Sequence, residues 1–204
     1  MMQRQINVSL DVLARQKERA EAFRRDRARE GTLVVQLLAS PGAGKTSLLE
    51  ATARRLGEAT MAVLVGDLAT QRDADRLRRV APCVPLTTGG ACHLEMTLVE
   101  AGFAKLEGDP VDFLFIEDVG NLVCPASHDV GHHDRVTLLS VTEGDDKAGK
   151  YPKAFRTSQA LVISKTDLLP YVPFSIENAV DDARRIQSQL HVMPLSSLKG
   201  DGMD

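Results

Sequence analysis

From residue 32 onward the chain alternates short, nearly continuous apolar runs with longer amphipathic stretches. The runs are LVVQLLA (33–39), MAVLV (61–65), DFLFIE (112–117), VTLLSV (136–141) and ALVIS (160–164), with weaker ones at 84–87 and 191–195. Segments of helical periodicity lie between them, at about 45–57, 71–80, 92–106 and 175–190. Strands this apolar are buried on both faces, so the pattern predicts an α/β fold of three layers, a mostly parallel sheet between helices. The connection at 118–135 is long and largely non-apolar, and compact domains seldom keep such a loop without a use. The chain stops at LKGDGMD, where another helix would begin, so the domain reads as trimmed or short at that end.

Residues 1–30 form a separate block, an N-terminal helix ahead of a domain spanning 31–204. Ile6, Leu10, Leu13, Ala20 and Phe23 recur at helical spacing, with Lys17 in a gap of the stripe. Asn7 or Ser9 is the expected N-cap and Gly31 the stop. Residues 15–30 carry seven basic and four acidic side chains, which reads as a solvated face, with partner contact as the alternative.

Composition narrows the class. With 43% hydrophobic and 26% charged residues, the 204-residue chain can bury a core and stay in solution. Aromatics are 4% with no Trp, and the net charge is −3, which argues against single-strand stacking platforms and against general attraction to nucleic acid. No run approaches the roughly 18 apolar residues that span a bilayer, and the polar N-terminus lacks a secretory core. Three cysteines make no disulfide framework, so the expected setting is the reducing cytoplasm, with no membrane and no nucleic acid as partner.

After the first run comes Ala39-Ser40-Pro41-Gly42-Ala43-Gly44-Lys45-Thr46, then the helical SLLEATARRL. This is the phosphate-loop pattern G-x-x-x-x-G-K-[ST] with Ala39 in place of the first glycine. Gly42 and Gly44 let backbone N–H groups face phosphate oxygens, and the helix start adds positive potential. Lys45 reaches the terminal phosphates and the Thr46 hydroxyl ligates Mg²⁺, making Pro41, Gly42, Ala43, Gly44, Lys45, Thr46 and Ser47 the expected phosphate-side contacts. A chance turn before a helix is the bland alternative, which strand before, helix after and G-K-T in place disfavour.

Ser164-Lys165-Thr166-Asp167 resembles the N-K-x-D element of GTPases, whose carboxylate accepts guanine's ring N–H and exocyclic amine; a plain helix cap is the alternative. Ser196-Ser197-Leu198-Lys199 resembles the second base-proximal element. Lys165, Asp167, Ser197 and Leu198 are therefore the expected base contacts, favouring guanine over adenine. Asp67 and Glu117 end two apolar runs, where an open parallel sheet collects ligands, so they join Lys45 as catalytic candidates and Thr46 as Mg²⁺ ligands. Helix capping is the bland reading for Asp67, Asp73 and Asp75.

Cys92 and His93 sit at a loop-to-helix junction and Cys124 in the long loop, a thiolate and imidazole set suited to Zn²⁺ or Ni²⁺. Three ligands fall short of a closed tetrahedron, and water or a second subunit would complete it. Buried, inert cysteines are an equal reading on spacing alone. Cys83 reads as packing, and His128, His132 and His133 as solvated or as an extension of the metal region.

SPGAGKTSLLE, GDLATQRDADR, TTGGACHLE, LFIEDVGNLVCP, LLSVTEGDDK with KYP, and SKTDLLPY, covering residues 33–173 in order with SSLKGDGM beyond, together resemble the nickel-incorporation GTPases of hydrogenase maturation, the HypB family within the signal-recognition/MinD-like branch of P-loop NTPases. The resemblance implies a GTP-hydrolysing homodimer, assembled when GTP-bound, that binds nickel or zinc and supports nickel delivery to a [NiFe]-hydrogenase large-subunit precursor with a nickel metallochaperone as partner. It places Cys92, His93 and Cys124 as metal ligands at the dimer interface. It gives Asp67 and Glu117 the switch and Walker B roles, and Lys165 and Asp167 the guanine site. Hydrolysis to GDP would be slow alone, with Lys150 and Lys153 as cations a facing subunit could lend. The rivals are a urease-maturation nickel GTPase, a metallochaperone with little hydrolysis and an ATP-dependent cofactor kinase.

Three departures matter. Residues 1–30 hold neither the cysteine motif nor the histidine tract common in the family. Thr97 stands where some members place a second histidine. The usual E-N-V-G reads Glu117-Asp118-Val119-Gly120, adding a charge that bears on metal affinity or nucleotide response. The expected mechanism is a switch: nucleotide and Mg²⁺ order 67–75 and 117–124, and Cys124 follows Glu117 closely enough for the metal site to respond.

Overall fold

The computed structural model of the chain describes residues 2–67 and 71–204, with residues 2–13 described by their backbone alone. Seven strands form one sheet in the order β3-β2-β4-β1-β5-β6-β7. They are β1 (Leu33–Ala39), β2 (Met61–Asp67), β3 (Cys83–Thr87), β4 (Phe113–Glu117), β5 (Asp134–Ser140), β6 (Ala160–Ser164) and β7 (His191–Pro194). Every neighbouring pair is parallel. Each apolar run became a strand, and β1 and β6 span the residues of their runs.

The helices are α1 (Met2–Arg29), α2 (Lys45–Ala53), α3 (Arg72–Leu77), α4 (Met96–Phe103), α5 (Lys147–Lys150), α6 (Pro152–Arg156) and α7 (Ile176–Ile186). Along β1, Val35, Leu37 and Ala39 face a cluster with Leu48, Leu49, Ala74 and Leu77 of α2 and α3. Val34 and Leu38 face the other side, where two separate clusters lie. One joins α1 and α4 to β2 and β4. The other joins α6 and α7 to β5 and β6. Gln36, on that same face and fully buried, sits in the seam between the two clusters.

Several boundaries differ from the sequence reading. Helix α1 begins at Met2, upstream of the expected cap at Asn7 or Ser9, and ends where Gly31 takes a left-handed φ of 80°. The side chains of Ile6, Leu10 and Leu13 lie outside the described residues. Helix α1 is only partly a solvated face. Ala20 and Phe23 are buried, the Phe23 ring meets Phe103 edge-on at 5.3 Å, and Arg27 lies 4.0 Å from the Phe103 ring centroid. Arg19 pairs with Glu100, and Arg24 grips both Asp129 oxygens at 2.6 and 2.7 Å. Helix α4 is shorter than expected at both ends, so Cys92 and His93 lie in the loop before it. Helices α5 and α6 were not anticipated, because Gly149 and Pro152 break their periodicity.

Candidate functional site

The site forms where strand order reverses around β1, at the C-terminal ends of β1 and β4, the position at which open parallel sheets bind ligands. The chain leaves β1 at Ala39 and turns through Gly42 (φ 77°) and Gly44 (φ 101°) into α2, a path open to glycine but strained for other residues. Gly120, the last residue of Glu117-Asp118-Val119-Gly120, lies so close that a Cβ there would meet Pro41 atoms at 3.1–3.2 Å. The two segments read as phosphate loop and switch are thus in backbone contact.

Lys45 and Thr46 open α2 and are buried. The Thr46 hydroxyl donates to Glu117 Oε1 at 3.0 Å, and Lys45 Nζ stands 4.0 Å from the same oxygen. Glu117 Oε2 is buried and makes no hydrogen bond. Burial pushes the Glu117 carboxyl up to about 7, against the pull of Lys45 and Thr46. A buried hydroxyl beside a buried carboxylate oxygen lacking a donor is chemistry that suits a Mg²⁺ ion arriving with a nucleotide. Asp67 ends β2, opposite Thr87 of β3, and residues 68–70 lie outside the described residues. Ser47 is exposed on the first turn of α2 and accepts from Arg76 Nη2 at 3.3 Å. Arg76 also pairs with Glu50 at 2.7 Å and Asp73 at 3.5 Å.

The candidate base site closes on the same loop. Lys165 adopts φ 61° and sends its Nζ to the Gly42 carbonyl at 2.6 Å. The Ser164 hydroxyl donates to the Ala43 carbonyl at 2.7 Å, so the serine in place of asparagine still braces the phosphate loop. Asp167 Oδ1 accepts from the Ser196 hydroxyl, and the Lys199 N–H donates to Ser196 Oγ at 3.1 Å. Ser196 is therefore the residue of its segment that touches Asp167; Ser197 is half-buried and Leu198 is 81% exposed. Lys147 also went unnoticed in the sequence, although its Nζ donates to Ser40 Oγ at 3.3 Å and pairs with Glu143 at 3.2 Å. Lys150 pairs with Asp146 instead.

Cys92, His93 and Cys124 converge beside this site. The Cys92 sulfur lies 3.8 Å from His93 Nδ1, close to the spacing of about 3.6 Å that two such donors take on one tetrahedral ion. Interaction with the neighbouring Cys124 thiol, together with desolvation, holds the Cys92 thiol above its ordinary range. The His128 ring stacks on His93 at 3.6 Å and its Nδ1 meets the Cys124 carbonyl at 2.8 Å. Among the described residues of one chain, no three such donors already close on one ion. His132 and His133 point elsewhere. Burial holds His132 down at about 3, and His133 Nδ1 accepts from the Val34 N–H at 2.9 Å. Cys83 packs against the α2–α3 cluster, and burial pushes its thiol up to about 11.

Asn121 joins the two halves of the site. It forms a bridge with Ala39 at the head of the phosphate loop, and its side-chain amide donates to the Cys92 carbonyl at 3.2 Å. No helix among the described residues is long and apolar enough to cross a membrane.

Residues 33–194 match the family model "CobW/HypB/UreG, nucleotide-binding domain". The hydrogenase maturation factor HypB of Escherichia coli K12 is 41% identical over 203 residues, covering 98% of this chain and 70% of that protein. The hydrogenase/urease maturation factor HypB of Helicobacter hepaticus is 40% identical over 190 residues, covering 91% of this chain and 78% of that one. The crystal structure of Helicobacter pylori HypB in complex with nickel superposes with a TM-score of 0.86 at 38% identity, covering 90% and 87% of the two chains. With the phosphate loop, the paired cysteine segments and the sheet order in agreement, the chain belongs to the CobW/HypB/UreG nucleotide-binding family and, within it, to the HypB hydrogenase maturation factors.

Proposed function

We propose that this chain is a GTP-hydrolysing, metal-binding accessory factor, working in the cytoplasm, that supports nickel insertion into a [NiFe]-hydrogenase precursor. Nickel is its cargo. The observation that carries the reading is Asn121, whose contacts join the head of the phosphate loop to the Cys92 backbone. A segment running from Glu117 to Cys124 cannot move at one end without disturbing the other.

Lys45 and the Gly42–Gly44 amides take the phosphates, and Thr46 and Glu117, with Asp67, hold Mg²⁺. That ion supplies neutralisation of phosphate charge, which with positioning dominates phosphoryl transfer. Asp167 and Lys165 read guanine, braced by Ser164 and Ser196. Water cleaves GTP to GDP and phosphate, slowly in the isolated chain, because Arg76 is held by Glu50 and Lys147 by Glu143. Cys92, His93 and Cys124 take nickel or zinc. Cys92 is exposed, His93 and Cys124 are half-buried, and Val123 beside them is 58% exposed, which suits completion of the ligand set by a second copy in a GTP-bound homodimer. A nickel metallochaperone loads the site and a hydrogenase large-subunit precursor receives the metal.

The test is Ni²⁺ affinity by chelator competition, with Mg²⁺–GDP and with a non-hydrolysable GTP analogue. An affinity that differs between the two states and collapses in Cys92→Ala supports the coupled switch, since linkage must be reciprocal. Equal affinities in both states refute nucleotide gating, and nickel binding that survives Cys92→Ala refutes the ligand assignment.

A further inference from the structure

Asp118 sits at the centre of a buried polar chain. Its carboxylate accepts the Gln36 side-chain amide at 2.7 Å and the Val119 N–H at 2.9 Å, and the Leu94 backbone N–H lies near enough to favour its charged form. Gln36 in turn accepts from Arg135 Nε at 2.7 Å. The Arg135 guanidinium then donates to the Ala126 carbonyl at 3.2 Å, the His128 carbonyl at 2.8 Å and Thr157 Oγ1 at 2.6 Å. Gln36, Asp118 and Arg135 are all at least 96% removed from solvent. Gln36 and Arg135 are register partners on β1 and β5, and the chain fills the seam between the two apolar clusters of that face.

One end of this chain holds the loop that follows Cys124, and the other lies against the loop that follows Cys92 and His93. Leu94 follows Cys92 and His93 directly, whereas Ala126 and His128 follow Cys124. Asp118 itself is the next residue after Glu117. We propose that Asp118, acting through Gln36 and Arg135, is a positioning residue that fixes both cysteine-bearing loops relative to Glu117, so that the metal donors track the nucleotide site. The proposal rests on the reading of Cys92, His93 and Cys124 as metal ligands.

Hydrogen-bond polarity explains why this chain carries aspartate there. Arginine cannot accept a hydrogen bond, so the Gln36 carbonyl must face Arg135 and its amide must face residue 118. Position 118 therefore receives two donors, the Gln36 side-chain amide and the Val119 N–H, with the Leu94 N–H nearby. A carboxylate suits all three. An asparagine offers one oxygen and turns an N–H₂ group toward another donor. The pair Gln36→Glu with Asp118→Asn restores the match, because a carboxylate at position 36 would accept from Arg135 and from the new amide at position 118 alike, with total charge conserved.

The test compares wild type, Asp118→Asn, Gln36→Glu/Asp118→Asn and Cys92→Ala by Ni²⁺ chelator competition in both nucleotide states and by the thiolate-to-nickel absorption band. Melting and fluorescent-GDP binding report the fold. Asp118→Asn is expected to weaken nickel binding about 10–100-fold, to diminish the band and to erase the difference between nucleotide states. The double variant is expected to recover most of each. Wild-type nickel binding in Asp118→Asn, or no recovery in a folded double variant, overturns the brace. Nickel binding that survives Cys92→Ala overturns the underlying ligand reading instead. Should the single variant not fold, the double variant decides by the same readouts. Amide exchange in the unmodified protein gives a check that needs no variant: Leu94 and Val119 are expected to exchange slowly, and fast exchange at both overturns the proposal.

Discussion

Replacing Glu117 with Gln removes a proton-binding group from the buried corner between Lys45 and Thr46. Burial raises that carboxyl from its ordinary 4.5 to about 7. Between those two pH values the folded protein holds a proton that the unfolded chain has released. Stability therefore falls as pH rises through the window: the full contribution is present below about 4.5 and gone above about 7. At about 1.4 kcal/mol per pH unit the window is worth about 3 kcal/mol, of which about 2–3 kcal/mol falls between pH 5 and pH 8. Asp118, pushed up to about 6 by its own burial, adds a slope of the same sign that wild type and variant share. The assay is urea unfolding of nucleotide-free and metal-free protein at both pH values. Wild type is expected to lose about 2–3 kcal/mol more than Glu117→Gln on going from pH 5 to pH 8. Parallel losses in the two proteins would refute a carboxyl that is protonated by burial, and a steeper loss in the variant would reverse the sign of the argument.

Other perturbations test other links. Gly120→Ala drives a methyl group to 3.1–3.2 Å from Pro41, and the phosphate loop must shift; fluorescent-GDP titration is expected to show about tenfold weaker binding, and wild-type affinity would show that the contact is slack. Asp167→Asn swaps a double acceptor for a mixed donor and acceptor, so preference for GTP over ATP in competition is expected to fall about 10–100-fold, and an unaltered preference would remove Asp167 from base recognition. Phe23→Ala empties a buried position against Phe103 and is expected to cost about 3–4 kcal/mol in chemical unfolding; a loss under about 1 kcal/mol would mean that α1 does not rest on the domain.

The strands were legible because each is largely buried on both faces and so writes itself as a nearly continuous apolar run, as in LVVQLLA for Leu33–Ala39. The phosphate loop was legible because its glycines and G-K-T meet a local demand, set within eight residues. The contacts that join the site were not. Gln36 and Arg135 stand 99 positions apart, and Arg24 and Asp129 105 apart; nothing in either neighbourhood specifies its partner. Gln36 looked like an irregularity inside an apolar strand, and that is the one signal that could have marked it: a polar side chain at a fully buried register position must find a partner. The start of α4 was misplaced because Cys92 and His93 fit a helical period, whereas Gly89 and Gly90, both at positive φ, hold the chain in a loop until Met96.

Lys45, Glu117, Asp118 and Arg135 are each buried to 9% exposure or less. Stability alone does not account for them, since replacing buried charges by apolar groups of similar volume is often neutral or favourable. Elsewhere on the same strands the sequence does make that choice: Val34 and Leu38 flank Gln36 on its face of β1, and Leu114 and Ile116 precede Asp118 on its face of β4. The charges are confined to the end of the sheet that meets the phosphate loop and to the seam that reaches from it toward the cysteine loops. Lys45 and Glu117 face the phosphate side, Arg135 holds backbone carbonyls of the loop after Cys124, and Asp118 lies against the loop after Cys92. A cost concentrated where two candidate ligand sites approach each other is what linkage between them requires, because loops free to relax independently would carry no coupling from one to the other.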